Sequence, residues 1–228
     1  MNHKSVEHAH TETPANAEVN TIYHTLLSYD DAATKARYLV EKYHSVLDGS
    51  VLDVGCGKRL IGDLVPKPDL YTGIDIKAPC DAVVDLEHEA LPFEDHSFDA
   101  VICSDVLEHL EAAHQMFDEC CRVARSRVII SLPNPARDFL RQVFGGSEGR
   151  LLYYGLPGEN PGNRHRWFFG FEEAVEFVQA GASRNSWTVE QLDSIHDGCC
   201  YWLNGRGEDV LNCPNLTRGH LWAILKRS

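Results

Sequence analysis

The stretch of sequence that decides the fold is Val51-Leu52-Asp53-Val54-Gly55-Cys56-Gly57. A short, mostly apolar run typical of a buried strand leads directly into a Gly-x-Gly turn. Glycine tolerates positive φ and lets the backbone come close to a ligand. The first strand-to-helix turn of a doubly wound sheet uses this property to bind a nucleotide cofactor at the helix N-terminus. The pattern predicts such a cofactor turn, with a tight turn that binds no ligand as the alternative.

Short apolar runs and helical stretches alternate around this segment. Strands are predicted at residues 51–54, 71–74, 82–84, 98–103 and 127–132, with two terminal strands near 187–195 and 220–225. Helices are predicted at about residues 30–47, 58–65, 107–123 and 171–180. Continuous apolar strands between helices are typical of a parallel sheet covered on both faces. The sequence therefore predicts an α/β, doubly wound, Rossmann-like domain.

The domain boundaries follow from composition. Residues 1–20 are polar and without periodicity, which predicts a disordered tail before a single domain at residues 21–228. Residues 145–170 follow the fifth predicted strand, and their first part is rich in Gly and Pro. We interpret them as a lid or substrate insertion. The tail carries His3, His8 and His10 on no rigid frame, and we predict no metal site.

The charge balance narrows the classes of partner. The 228 residues include 21 Lys+Arg and 34 Asp+Glu, which gives a net charge of −13. Nucleic-acid binding needs basic surface to neutralise phosphates, and docking on an anionic membrane needs it too, so we expect neither. The acidity is uneven, because residues 1–136 carry a net −12 and residues 137–228 a net −1. Five arginines lie between residues 137 and 166, so an anionic small molecule and an ordinary solvated surface both stay open.

The cellular compartment is predicted from three further features. The chain has no run of about 18 apolar residues that could span a membrane, and its first residues lack the apolar core of a signal peptide. The eight cysteines form no Cys-x-x-Cys pair, and we expect buried free thiols in a cytoplasmic protein.

Acidic residues follow the later strands in order. Asp75 ends the second strand, 20 residues after Gly55, where a carboxylate can bind ribose hydroxyls. Asp85-Leu86 ends the third strand and Ser104-Asp105 the fourth. Each could alone be a helix cap or a solvated carboxylate, but all of them stand where an open α/β sheet binds ligands.

The identity of the cofactor depends on the residues beyond the turn. A dinucleotide fingerprint needs a third glycine where this chain has Leu60. The turn, Gly73-Ile74-Asp75-Ile76, Asp85-Leu86 and the run from Leu91 through Ser97-Phe98-Asp99 to Leu107-Glu108-His109-Leu110 together resemble the class I S-adenosylmethionine-dependent methyltransferases. The resemblance covers about residues 35–135. It implies a seven-stranded, mostly parallel sheet with an antiparallel last strand.

The resemblance also implies roles for single residues. Asp53 would support the loop, with Gly55, Cys56 and Gly57 under the methionine part of S-adenosylmethionine. Asp75 would hold the ribose and Ile76 the adenine ring; Asp85 and Leu86 would bind the adenine edge, and Ser104 and Asp105 would close the pocket. Arg59 departs from the family, which has a small residue there. It could cap the cofactor's carboxylate or narrow the pocket.

Two histidines are candidates for a general base, which helps when the methyl acceptor is a hydroxyl. His109 follows the fourth strand and His165 lies at the end of the insertion. Each could instead be structural, His109 as a helix residue and His165 as a packed anchor of the lid.

We therefore predict an enzyme that methylates a small molecule at an oxygen, in a hydroxyl or carboxylate. The alternative is a methyltransferase-like accessory protein that binds another biosynthetic enzyme. The acceptor and the oligomeric state do not follow from the sequence.

Overall fold

The computed structural model describes residues 22–26, 31–144, 151–159, 161–196 and 213–228. The predicted tail at residues 1–20, residues 145–150 and 160 of the predicted lid, and Cys199 and Cys200 lie outside these ranges.

The strands form one twisted sheet in the order β1-β7-β8-β6-β5-β2-β3-β4. Their bounds are β1 Ile22–Leu26, β2 Val51–Val54, β3 Tyr71–Asp75, β4 Ala82–Val83, β5 Phe98–Ser104, β6 Ala124–Pro133, β7 Trp187–His196 and β8 His220–Arg227. β8 is antiparallel to both of its neighbours, and every other pair is parallel. The seven predicted strands and the antiparallel last strand are confirmed.

An eighth strand, β1, extends the edge of the sheet. It pairs in parallel with β7, from Ile22 opposite Leu192 to Leu26 opposite His196. We did not predict it, because its five residues mix polar and apolar types and its ladder partner lies 170 residues away.

The helices are α1 Ala32–Lys42, α2 Ala113–Val123, α3 Pro135–Phe144, α4 Phe171–Arg184 and the short α5 Pro214–Thr217. The helix predicted at residues 58–65 is wrong, because this segment forms successive turns. Arg59 there has φ 58, which no helix contains. The helix predicted at 107–123 is divided into a 3₁₀ turn at Leu107–His109 and α2, because Leu110 is extended. We did not predict α3.

Side chains alternate between two apolar layers. Along β5, Val101 and Cys103 face one layer, and Ala100 and Ile102 face the other. α2 and α4 bury their apolar residues in the first layer, and α1 in the second. Helices therefore cover both faces, as predicted, and the polar groups of the strand ends are left at the sheet edge.

Candidate functional site

The turn after β2 has the backbone that its glycines predict. Gly55 has φ +73 and Gly57 φ +54. The N–H groups of Gly55 and Cys56 both donate to the Ile74 carbonyl, at 2.8 and 2.9 Å. A Cβ on Gly55 would lie 2.4 Å from Cγ2 of Val106, whereas one on Gly57 would meet nothing within 4 Å. The turn therefore needs glycine at 55 for both conformation and space, and at 57 for conformation alone.

Asp75 joins this turn to the end of β3. Its Oδ2 accepts a hydrogen bond from the Gly57 N–H at 2.9 Å. The carboxylate predicted to hold a ribose thus lies directly against the glycine turn.

Asp53 lies beneath the turn and is almost inaccessible, with 2% of its surface exposed. The Tyr71 hydroxyl donates to its Oδ2 at 2.6 Å. Burial raises the pKa of Asp53 to about 7, although the Tyr71 hydrogen bond opposes the rise. Burial also raises the pKa of the Cys56 thiol to about 12, so this cysteine is a protonated, unreactive part of the turn.

Asp105 is the central charged group at the end of β5. Its backbone has φ 54, an uncommon conformation for a residue other than glycine. Its carboxylate pairs with Lys35, accepts from the Ser131 hydroxyl at 2.9 Å and lies 2.9 Å from Nε2 of His220. Burial alone would raise the pKa of Asp105, but His220 and Lys35 outweigh it and lower the pKa below its usual value. Ser104 lies beside this group, with its hydroxyl 2.9 Å from that of Ser131.

Two clefts open at this edge of the sheet. The cleft on the side of α1, called the α1-side cleft, has a volume of about 550 Å³. The cleft on the side of β3, called the β3-side cleft, has a volume of about 640 Å³. Gly55 and Asp105 line both, so the two clefts meet at the glycine turn. Of the predicted cofactor residues, the α1-side cleft takes Asp53, Gly55, Cys56, Gly57, Ser104 and Asp105, and the β3-side cleft takes Gly55, Asp75, Ile76, Asp85, Leu86 and Asp105.

Three of the predicted cofactor residues, Asp85, Leu86 and Arg59, contact other parts of the protein. Asp85 accepts from the Glu87 N–H at 3.0 Å and lies 3.0 Å from Nδ1 of His88, and the hydrogen bond from His88 lowers the pKa of Asp85. Leu86 packs into the core. Arg59 lines neither cleft; its guanidinium pairs with Asp81 and lies over the Tyr71 ring. A role for Arg59 toward the cofactor stays a prediction.

The two predicted catalytic histidines meet, although 56 residues separate them. The rings of His109 and His165 are 4.7 Å apart, edge to face. Nδ1 of His109 lies 2.9 Å from the Arg164 carbonyl, and Nδ1 of His165 lies 2.6 Å from the Tyr154 hydroxyl. The His165 ring also stacks on Tyr153 at 4.4 Å. Burial lowers the pKa of His165 to about 4.

Glu108 lies beside this pair and is 1% exposed. Its Oε1 is 4.0 Å from Nε2 of His109. Burial, reinforced by the nearby Asp105 carboxylate, raises the pKa of Glu108 well above its usual value. Glu108 also lines an apolar pocket of about 210 Å³ whose walls include Leu132, Trp167 and Phe177.

The predicted lid is partly described. Residues 151–159 and 161–170 are irregular, and they bring Gly162, Asn163 and Arg166 to the β3-side cleft. Of the arginines noted in this region, Arg137 is buried, Arg164 and Arg166 lie beside His109, and Arg150 is outside the described residues.

Sequence reasoning missed Lys35, His220, Tyr153 and Tyr154, and it treated Glu108 only as part of a motif. The contacts of Lys35 and His220 with Asp105 join residues 70 and 115 positions apart, and no local spacing signals them.

Comparison with known proteins supports the resemblance to methyltransferases. Residues 52–132 match the family model of a methyltransferase domain. A SAM-dependent methyltransferase from Archaeoglobus fulgidus is similar in structure, with TM-score 0.57 and 17% identity over 86% of this chain and 95% of that one. The 1,6-didemethyltoxoflavin-N1-methyltransferase from Burkholderia thailandensis has TM-score 0.53 and 14% identity, over 87% and 80% of the chains.

The [4+2]-cyclase SpnF also has TM-score 0.53 and 14% identity, over 91% of this chain and 88% of that one. At such identities the likeness concerns the fold alone. No curated protein matches the sequence. None of the helices in the described ranges is long and apolar enough to cross a membrane.

Proposed function

Because the chain carries a methyltransferase domain of the class I S-adenosylmethionine-dependent type, we propose that it transfers the methyl group of S-adenosylmethionine to an oxygen of a small molecule. The observation that carries the proposal is the meeting of the two clefts at Gly55 and Asp105, directly over the glycine turn. An elongated ligand with a charged amino-acid end and a nucleoside end fits a pair of joined clefts of this kind.

The α1-side cleft suits the amino-acid end. Lys35 and Lys58 line it and offer cations to a carboxylate, while Asp105 lines it as a potential partner for an ammonium group. Gly57 has open space where a Cβ would stand, so the backbone is accessible to the ligand there. These features fit the methionine part of the cofactor.

The β3-side cleft suits the nucleoside end. Asp75 supplies carboxylate oxygens for ribose hydroxyls, and the largely exposed Ile76 offers an apolar surface to the adenine ring. Asp85 can bind the adenine amino group only if it exchanges its bond to His88. Bound S-adenosylmethionine would supply an electrophilic methyl group for in-line transfer to the acceptor atom, with S-adenosylhomocysteine as the leaving group.

The acceptor side lies beyond His109, which lines the β3-side cleft. The Arg164 carbonyl accepts the Nδ1 hydrogen of His109, which leaves the lone pair on Nε2. This nitrogen can accept the proton of an acceptor hydroxyl. The apolar pocket beside Glu108 can hold an apolar body of the acceptor, so a phenol-like hydroxyl compound is the class that we propose. Much of the rate enhancement would come from orientation of that oxygen.

Calorimetric titration with S-adenosylmethionine and S-adenosylhomocysteine tests the cofactor. We expect both to bind the wild-type chain, and Gly55→Ala to bind at least about ten-fold more weakly, a change of about 1.4 kcal/mol. The physical reason is the overlap with Val106 added to a positive φ. Gly57→Ala is the matched variant for stability, because its only cost to the unliganded chain is the positive φ, about 1–2 kcal/mol. Its Cβ would stand in the space proposed for the ligand, so it is not a control for affinity. Gly55→Ala combined with Val106→Ala should regain part of both stability and affinity.

A folded wild-type chain that binds neither compound would overturn the proposal and favour the accessory role. Where the cofactor binds, transfer of a tritiated methyl group to a panel of phenols, sugars, quinol precursors, organic acids and amines tests the acceptor. Labelling of amines alone would contradict methylation at oxygen.

A further inference from the structure

We propose that Glu108, His109 and His165 bind a divalent transition-metal ion at the edge of the β3-side cleft. One ligand atom of each residue lies within 4.8 Å of those of the other two. Oε1 of Glu108 and Nε2 of His109 are 4.0 Å apart. Bonds of about 2.0–2.2 Å from nitrogen and oxygen to such an ion require these atoms to approach one another by about 1 Å through side-chain rotation.

Glu108 supplies an independent observation. It is 1% exposed, and within the described part of the chain its Oε2 has no hydrogen-bond partner. A buried carboxyl oxygen without a partner is costly, and a cation bound by both oxygens of the Glu108 carboxylate would give Oε2 one. Nothing in the proposed methyl transfer otherwise needs a carboxyl group buried at this point.

Both imidazoles are oriented as metal ligands are. In metal sites, a ligating histidine donates its other ring N–H to a carboxylate, a backbone carbonyl or a water, which fixes the ring. Nδ1 of His109 does so with the Arg164 carbonyl, and Nδ1 of His165 is paired with the Tyr154 hydroxyl. Nε2 of each ring is the nitrogen left to bind an ion.

The backbone holds the three residues together. Glu108 and His109 belong to the 3₁₀ turn after β5, whereas His165 comes from the segment before α4. The Arg166 N–H donates to the Glu108 carbonyl at 2.7 Å, and Trp167 Nε1 donates to the Leu110 carbonyl at 2.6 Å. The segment is thus fastened to the turn immediately after His165.

The ligand set indicates the kind of ion. Two imidazoles and one carboxylate favour Zn²⁺, Fe²⁺ or Mn²⁺ over Mg²⁺ and Ca²⁺, which prefer oxygen ligands. Three protein ligands also leave coordination positions open, as in catalytic sites. In a role that rests on the proposed function, an acceptor hydroxyl in an open position would become more acidic. His109 and His165 would then serve as ligands, which would replace the role of base proposed above for His109, and the hydroxyl proton would be released to water.

The test uses Co²⁺ as a spectroscopic probe and does not depend on methyl transfer. The full-length chain, freed of metal by a chelator, is titrated with Co²⁺ and its visible absorption is recorded. We expect one tight site per chain, from which Zn²⁺ displaces Co²⁺. His165→Gln should lose this site, with a dissociation constant raised by at least about 100-fold, and Tyr154→Phe should weaken it about 10- to 100-fold.

Two controls separate this site from other histidines. His44→Gln changes an exposed histidine outside the cluster, and the triple variant His3→Gln, His8→Gln, His10→Gln removes those of the N-terminal segment; both should keep the tight site. Glu108→Gln should lose it, and His165→Gln, at a less buried position, still tests the proposal if Glu108→Gln does not fold.

The proposal is overturned if the folded chain binds no Co²⁺ tightly, or if binding survives His165→Gln and disappears in the triple variant. Calorimetry with S-adenosylhomocysteine on the same samples separates the two proposals, because a chain without the metal site can still bind the cofactor and a chain without the cofactor can still bind the ion.

Discussion

At the scale of single residues, Asp53 is the position where burial and ionisation conflict most clearly. Its carboxyl group is buried under the glycine turn, and burial raises its pKa to about 7 from the usual 3.8. At a pH between 3.8 and about 7, the Asp53 carboxyl group has lost its proton in the unfolded chain and keeps it in the folded chain. Folding therefore takes up a proton in this window, and the contribution of Asp53 to stability falls as the pH rises through it. Above about pH 7 the contribution is constant.

Asp53→Asn should remove this dependence, because an amide keeps the hydrogen bond from Tyr71 and does not ionise. We expect the variant to gain about 1–3 kcal/mol relative to wild type between pH 5 and pH 8, measured as the free energy of unfolding in denaturant. Asp63→Asn makes the same chemical change at an exposed turn position and should give a curve parallel to wild type. Parallel curves for wild type and Asp53→Asn would contradict the raised pKa.

The spacing of residues along the sequence explains why part of the candidate site could be predicted. Asp53, Gly55 and Asp75 lie at or just beyond the ends of two adjacent strands, so the strand pattern alone puts them at one edge. The partners of Asp105 could not be predicted in the same way, because Lys35 comes from α1 and His220 from β8. Their approach depends on the order of strands in the whole sheet.

At the scale of elements, the N-terminus of α1 carries one side of the proposed cofactor site. Asp31 caps the helix by accepting from the Thr34 N–H at 2.8 Å and from the Thr34 hydroxyl at 2.9 Å. Lys35, one turn into α1, pairs with Asp105. The cap thus stabilises the turn that holds the cation of this pair.

Asp31→Ala should lower the free energy of unfolding by about 1 kcal/mol, because the helix loses the acceptor for a free N–H group. Asp31→Ser restores a capping oxygen and should recover most of the loss. The measurement is chemical denaturation of the three proteins, with calorimetry to follow cofactor affinity, which we expect to weaken with the cap. An alanine variant as stable as wild type would show that the cap does not hold α1.

The helices show where periodicity misleads. Residues 58–65 have apolar residues at helical spacing, with Ile61 and Val65 buried, yet the positive φ of Arg59 starts a series of turns.

The helix α3 was not predicted, although the local sequence contains a signal for its start. Oδ1 of Asn134 accepts from the Arg137 N–H at 3.1 Å, and Pro135 opens the helix. A capping residue followed by proline is a helix-start signal.

At the scale of the whole molecule, the charge of −13 acts on any ligand that approaches the clefts. S-adenosylmethionine carries one positive charge more than S-adenosylhomocysteine, because its sulfur is a sulfonium. The two ligands otherwise differ by a methyl group. The acidic chain should therefore attract the first by long-range steering and leave the second almost unaffected.

The dependence of the association rate constants on salt concentration tests this difference between the two ligands. Between about 0.01 M and about 1 M salt the screening length shrinks from about 30 Å to about 3 Å. We expect the association rate constant of S-adenosylmethionine to fall several-fold over this range and that of S-adenosylhomocysteine to change little, since a net attraction acts only on the charged ligand. Stopped-flow fluorescence can follow both, because Trp222 lines the α1-side cleft. Dissociation rates should depend less on salt, since they report short-range contacts. An equal salt dependence for both ligands would mean that the local charges of Lys35 and Lys58 cancel the field of the molecule at the entrance.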